Sequence, residues 1–231
     1  MNPEQRTAQF RAAGLTLRSA ARLFSRYPSP RVLIPAAALT VAARVSLGRW
    51  SRRDVRIAAT IVTLEPFLEW LVHVHILHQR PRTFRGRTVD SFAARKHRRH
   101  HLNPRDPALA FILPNRRIAP VAVAGIAAVN TAVHRSTRTA LTGTATSLLL
   151  LTAFEWTHFL MHSSYKPKNP LYREIRRTHQ LHHFRNEKYW FGIVTPVSDI
   201  VLNTNPAKDE VQPSKTVKTL GITEPVSPAE L

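Results

Sequence analysis

Residues 97–101 read HRRHH, and residues 179–183 read HQLHH. Both stretches place histidines at positions i, i+3 and i+4, which are neighbours on one face of an α-helix. Two histidine pairs accompany them, in HVHILH at residues 73–78 and in HFLMH at residues 158–162. Neutral imidazole is the commonest metal ligand among protein side chains. The four clusters therefore predict an all-histidine metal site built on helices, and we expect that site to be the active site.

The number of histidines indicates more than one metal ion. A catalytic zinc ion takes three protein ligands plus water, so ten clustered histidines are too many for one such ion. They fit two ions with about five nitrogens each, and imidazole suits zinc, copper, iron or nickel. His75 stays open as a ligand, and His134 is predicted not to be one. The predicted ligands are His73, His78, His97, His100, His101, His158, His162, His179, His182 and His183.

The ordered series HVHILH, KHRRHH, EWTHFLMH and THQLHHFRNEKYWFG resembles the membrane-bound fatty acid hydroxylase and sterol desaturase superfamily. The resemblance covers residues 57–204 and includes the run NEKYWFGIVTPVSDIVLNT after the last histidines. It implies that the ten histidines bind two iron ions that activate dioxygen as a co-substrate. Zinc can replace iron in purified samples. The HxxxH spacing at residues 158–162 is more similar to the hydroxylase and sterol oxidase branch than to acyl desaturases.

The resemblance implies a fatty acid hydroxylase, a monooxygenase that inserts oxygen into a C–H bond of a membrane lipid. The sequence contains no glycine-rich dinucleotide loop and no cysteine for an iron–sulfur cluster. We therefore expect the electrons from an external ferredoxin, cytochrome or reductase. One alternative is desaturation, sterol methyl oxidation or carotenoid ring hydroxylation on the same centre. Another is a non-enzymatic membrane protein whose histidines bind structural zinc.

Four apolar stretches predict membrane-spanning helices, at residues 32–48, 57–72, 118–133 and 140–161. A spanning helix needs about 20 residues, so three of the stretches are short. The alternative is a soluble protein with four buried core helices, or a shallow hairpin in place of a full crossing. Because all histidine clusters must meet, two crossings have to separate the second cluster from the third. The sequence therefore predicts an all-α fold, an integral membrane bundle of about four transmembrane helices with a helical cap that carries the dimetal site.

The chain is strongly basic, with a net charge of +20 and a pI of about 11.6. Zinc-finger and helix-turn-helix signatures are absent from the sequence, so anionic lipid headgroups are a simpler partner than nucleic acid. An acidic electron-transfer protein is a second expected partner. Because basic loops favour the cytoplasmic side, the cap and both termini are predicted to be cytoplasmic. The arginine- and alanine-rich composition favours a bacterial cytoplasmic membrane.

Three segments follow from these patterns. Residues 1–30 are predicted to be a basic amphipathic segment, residues 31–204 the di-iron domain, and residues 205–231 a disordered tail. Glu69 and Glu155 each lie one helical turn before a predicted ligand. Metal-bound histidines usually donate their second nitrogen to a carboxylate or a carbonyl, so these glutamates are candidate partners of the ligands. The alternative pairs such a carboxylate with a buried arginine, for example Arg44.

Overall fold

The helix that organises the fold is α7 (Thr137–His162), the longest in the described part of the chain. It begins at Ser136, whose side chain accepts a hydrogen bond from the N–H of Thr139. Three long helices pack against it: α3 (Pro28–Ser46), α4 (Arg52–Val72) and α6 (Ile118–Val133). The last turns of α7 carry HFLMH, so this packing places the third histidine cluster at one end of the four helices.

The computed structural model describes residues 3–113 and 115–222. Within them the chain is mostly helical, as predicted. A short antiparallel hairpin was not predicted; Arg85 and Gly86, both at positive φ, form its turn. The other elements are α1 (Pro3–Arg11), α2 (Leu17–Phe24), a π-helix (His73–Leu77), β1 (Arg82–Phe84), β2 (Arg87–Val89), α5 (Phe92–Leu102), α8 (Pro170–Phe184), α9 (Val197–Val201) and a 3₁₀ turn (Lys208–Glu210).

The amino-terminal segment forms two helices rather than one continuous amphipathic helix. Residues 12–16 separate α1 from α2, with Gly14 at a positive φ of 75°. Phe10, Leu23 and Phe24 are buried and form a hydrophobic cluster with Phe159 near the end of α7, in which the rings of Phe10 and Phe24 contact that of Phe159. This segment is thus anchored to the body of the protein through its apolar side chains.

Arg44 does not pair with either predicted glutamate. Its guanidinium lies 2.9 Å from the carboxylate of Asp54, and both side chains are buried. Thr142 joins them, because its hydroxyl accepts a hydrogen bond from Arg44 and donates one to Asp54. The alternative pairing of Arg44 with Glu69 or Glu155 is therefore wrong. This buried network links α3, α4 and α7 at the end away from the histidines.

One helix in the described part of the chain, Arg52–Leu77, is both long and apolar enough to cross a bilayer. It comprises α4 and the π-helix. A shorter apolar helix, Ile118–Val133, has the composition but lacks the length. Four separate crossings therefore stay a prediction.

Residues 205–222 contact the body of the protein, and the predicted disorder of residues 205–231 stays a prediction. Val211 and Leu220 are buried, and Arg185 donates a hydrogen bond to the carbonyl of Val211. Ser214 N–H also donates to the carbonyl of Arg185. Both bonds join the segment to Arg185, the residue that follows α8. Residues 223–231 lie outside the described residues.

Candidate metal centre

The first histidine pair depends on a local change of helix type. At residue 73 the α-helix widens into a π-helix, and the N–H of His78 donates to the carbonyl of His73 at 3.1 Å. This i to i+5 bond places His73 and His78 on the same side, with ring centroids 5.0 Å apart. In a regular α-helix, residues five apart would diverge by more than a hundred degrees. Such π-turns occur often at functional sites.

The histidines of each HxxHH stretch divide between two spatial groups. On α5, His97 and His101 belong to one group, whereas His100 belongs to the other. On α8, His179 and His183 share a group, whereas His182 joins the opposite one. Residues four apart thus point to one group and the residue at i+3 points to its neighbour. Ser91 and Asn169 cap the amino ends of these helices and fix where each begins.

All ten predicted ligands come together, in two adjacent groups of five. Within each group, the candidate ligand atoms lie within 4.8 Å of one another. The groups touch, because the ring centroids of His101 and His183 are 4.3 Å apart. The first group is His73, His78, His97, His101 and His182, and the second is His100, His158, His162, His179 and His183.

The geometry of the ring nitrogens fits bound cations. In the second group, the Nε2 atoms of His100, His158 and His162 approach one another at 3.0–3.1 Å. Three neutral imidazole nitrogens cannot all be satisfied by hydrogen bonds within such a triangle, whereas one cation can be shared by all three. Metal–nitrogen distances of about 2.0–2.1 Å put opposite ligands about 4 Å apart, close to the observed spread.

Burial keeps the imidazoles of α5 and α8 in the form that binds metal. Desolvation holds the pKa of His100, His179 and His183 well below the usual range. It lowers the pKa of His101 to about 3. Metal binding needs neutral imidazole, so these histidines are ready to ligate at neutral pH without first losing a proton.

Four of the ligands are oriented by backbone carbonyls. A carbonyl only accepts, so Nδ1 must carry the proton and Nε2 keeps its lone pair for a metal. The four Nδ1 atoms lie 2.6–2.9 Å from their carbonyl oxygens. The pairs are His73 with Phe191, His101 with Val217, His158 with Ala110, and His182 with Tyr189.

Comparison with known proteins identifies the family. The profile of the fatty acid hydroxylase family matches residues 58–204, which include all ten clustered histidines. The chain belongs to the fatty acid hydroxylase family. Two dihydroceramide fatty acyl 2-hydroxylases of Arabidopsis thaliana, FAH1 and FAH2, are 25% and 24% identical over 177 residues, which cover 77% of this chain and 72% of each relative. The solved hydroxylase domain of full-length Scs7p shares the fold, with a TM-score of 0.65, 21% identity and coverage of 81% of this chain and 68% of that one.

Membership of the fatty acid hydroxylase family and the two histidine groups together support a lipid hydroxylase with a metal centre. The family assignment agrees with the resemblance stated from the histidine motifs. His75 belongs to neither group: it is exposed and stacks edge-on against Trp70. His134 lies at the far end of α6, also outside both groups.

Glu69 and Glu155 do not contact the ligands in the way we predicted. Each carboxylate accepts hydrogen bonds from the backbone: Glu69 from the N–H groups of Ile193 and Val194, and Glu155 from the N–H of Leu113. Each bonded segment carries a carbonyl that orients a histidine. The glutamates therefore act on the ligands indirectly. They bind the backbone of two loops, and carbonyl groups of those loops orient the histidines.

Two further residues of this outer layer were missed. Asp199 accepts hydrogen bonds from the N–H groups of Phe191 and Gly192, at 3.0 and 2.6 Å, and from the hydroxyl of Thr204. Lys96 donates to the carbonyls of Leu109 and Phe111, on either side of the carbonyl that orients His158. Asp199 could have been predicted from the run WFGIVTPVSDIVLNT, in which an acidic residue follows a glycine turn. Lys96 had no signal, because it is one basic residue among many.

Two cavities reach the centre, one at each histidine group. An apolar cavity of about 1240 Å³ reaches the first group at His73. A smaller polar pocket of about 280 Å³ reaches the second group at His162, and Arg11, Arg105 and Arg176 line it. A lipid chain fits the first of these environments, and a negatively charged group fits the second.

Proposed function

We propose that this chain is a dioxygen-dependent lipid hydroxylase that binds two iron ions, one in each five-histidine group. The observation that carries the proposal is the pair of adjacent groups, which share α5 and α8 and therefore form one centre. An all-nitrogen ligand set suits iron as well as zinc. Five protein ligands leave room at each ion for a small molecule. A structural zinc site would instead use four ligands and be closed.

The proposed reaction replaces one C–H bond of an acyl chain with C–OH. One atom of dioxygen enters the lipid and the other leaves as water, and this balance requires two electrons and two protons. Bound iron would supply the oxidising chemistry. The protein contributes the neutral imidazoles, the carbonyls that fix their orientation, and an apolar cavity beside the first histidine group. The named relatives act as 2-hydroxylases of fatty acyl groups, and we propose the same carbon here.

The electrons are proposed to come from a separate acidic protein. The pocket beside His162 is lined by three arginines and adjoins the second histidine group, whereas the apolar cavity adjoins the first. Complementary charge would steer an acidic ferredoxin, cytochrome or reductase to this face. Anionic lipid headgroups are proposed to contact the remaining basic surface.

We propose that the protein is embedded in a membrane with its centre and both termini on the cytoplasmic side. Exposed apolar side chains on α4 and α6 outside the apolar cavity support this placement; Val62 is 52% exposed and Val121 is 71% exposed. Charge distribution supports the cytoplasmic side. The bacterial origin is a prediction from composition alone, and the two named 2-hydroxylases come from a plant.

The placement makes a test with tags possible. Tags attached at residue 1 and at residue 231 should both resist an impermeant label in sealed cells, and both should react after the membrane is permeabilised. An even number of crossings predicts this result, because both ends then share one side. Labelling of one tag alone in sealed cells would contradict it, and a tag on the turn at residues 47–51 tests the outer side.

The reaction is tested by isotopically labelled dioxygen. We expect the purified chain, supplied with iron, an electron donor and an acyl lipid, to yield a product with one labelled oxygen atom. The same incubation with labelled water and ordinary dioxygen should give an unlabelled product, because the oxygen comes from dioxygen. An unsaturated product without label would shift the assignment to desaturation. Full metal loading without any dioxygen-dependent product would instead favour the structural zinc alternative.

A further inference from the structure

The apolar cavity is long and has two different ends. Its floor is α7, and its walls are α4 and α6, which both pack on α7. One end reaches His73 and Leu77 beside the metal centre, and the other reaches Arg53, Arg56 and His134. Arg53 and His73 are 20 residues apart on one helical rod, which corresponds to about 30 Å at a rise of about 1.5 Å per residue.

This length is informative about what the cavity can hold. One leaflet contributes roughly half of the hydrocarbon core of a bilayer, or about 15 Å. A cavity of about 30 Å therefore accommodates an extended chain longer than one leaflet. The lining between the two ends is mostly aliphatic, from Ile57, Ile61 and Leu64 on α4 to Leu150 and Leu151 on α7. Its polar members are Thr60, Glu65, Glu69, Asn130 and Ser147. An extended hydrocarbon chain matches both the length and the chemistry.

A glycine lies in the wall of this cavity. Gly125 on α6 lines it three residues after Ala122 and is itself exposed. A Cβ built at Gly125 meets no atom within 4 Å. Glycine in a helix interior is destabilising relative to alanine, so its presence here is not explained by helix formation or by close packing. The lack of a side chain at Gly125 instead leaves additional space in the cavity.

We propose that the cavity holds the acyl tail of the lipid substrate and that Gly125 sets how long a tail fits. The proposal rests on the proposed lipid hydroxylase activity, and it names the part of the chain that selects the substrate. The carbon to be oxidised lies at the His73 end, and the tail extends towards Arg53 and His134. Arg53 and His134 close the cavity with polar groups, which disfavour further methylene groups.

The test is replacement of Gly125 by phenylalanine, with Ala124→Phe as the matched control. Ala124 is exposed, neighbours Gly125 on the same helix, and does not line the cavity. In Gly125→Phe, lipids with long acyl chains should lose at least about tenfold in rate relative to short ones, because the ring occupies the path of the tail. Gly125→Ala should give a smaller shift in the same direction, and Ala124→Phe should keep the chain-length profile of the unmodified chain.

Two readouts separate this inference from the proposed function. Metal content shows whether each variant still assembles its centre, and mass spectrometry of co-purified lipids reports the acyl lengths that the cavity retains. Gly125→Phe should retain metal and bind shorter chains even where no turnover is measured. An unchanged chain-length profile in Gly125→Phe, or equal loss at every length with metal retained, would overturn the assignment. If the unmodified chain forms no oxygenated product, the proposed reaction fails, and the bound-lipid lengths still decide the role of Gly125.

Discussion

Replacing His100 or His182 with alanine should abolish activity and remove metal. The two histidines belong to different groups, so each variant should lose chiefly the ion of its own group. Loss of an outer partner of a ligand typically costs about 10–100-fold in metal affinity or activity, and loss of the ligand itself should cost more than about 100-fold. The unmodified chain should bind two ions. Metal analysis of purified protein, together with product formation, measures both effects.

His75→Ala and His134→Ala are the matched controls for this experiment. Both replace a histidine by alanine outside the two groups, and His75 even lies between two predicted ligands. Both should keep two ions, and His75→Ala, which lies outside the apolar cavity as well, should keep full activity. A fully active chain that holds a single ion, or an active His100→Ala variant, would refute the two-metal centre. Zinc in an overexpressed sample does not decide the native metal, because imidazole binds zinc well.

The ligand set was readable from the sequence because helical periodicity is local. The spacings HxxHH and HxxxH put imidazoles on one face of a helix whatever the rest of the chain does. The pair at residues 73 and 78 was harder, since i and i+5 are not neighbours in an α-helix. The π-helix that brings His73 and His78 together has no clear sequence signature, and only the bond between their backbones shows it.

The outer layer of the site could not be predicted in the same way. It consists of backbone carbonyls and of residues far away in sequence. Val217, whose carbonyl orients His101, lies 116 residues further along the chain, inside a segment that composition classified as disordered. Glu69 and Glu155 were selected for proximity to ligands, yet they bond to loops. Long-range contacts of this kind follow from tertiary packing, which periodicity does not describe.

The membrane prediction shows a similar limit. Apolar composition located α3, α4, α6 and α7 to within a few residues, because burial and lipid exposure both demand apolar side chains. It did not determine how many of these helices cross a bilayer. α3 contains the buried Arg44, and α6 has 16 residues, so neither meets the requirement by itself.

Removing the carboxylate of Asp199 should empty one metal group and leave the other filled. Asp199→Ala leaves the N–H groups of Phe191 and Gly192 without their acceptor, and each orphaned buried donor costs about 1–3 kcal/mol. The freed segment carries the carbonyl that orients His73. We expect the first group to lose about 10–100-fold in metal affinity. Metal titration at limiting iron should then give one ion per chain instead of two.

Glu155→Ala is the mirror experiment. Glu155 holds the N–H of Leu113, in the loop whose carbonyl at Ala110 orients His158 of the second group. Its loss should weaken the second group by a similar factor and spare the first. Asp199→Asn should rescue only in part, since an amide offers one acceptor where the carboxylate offers two. If Asp199→Ala and Glu155→Ala weaken both groups equally, the carboxylates stabilise the fold as a whole. Opposite losses in the two variants would assign Asp199 to the ion of the first group, through the carbonyl of Phe191 that orients His73. They would assign Glu155 to the ion of the second group, through the carbonyl of Ala110 that orients His158.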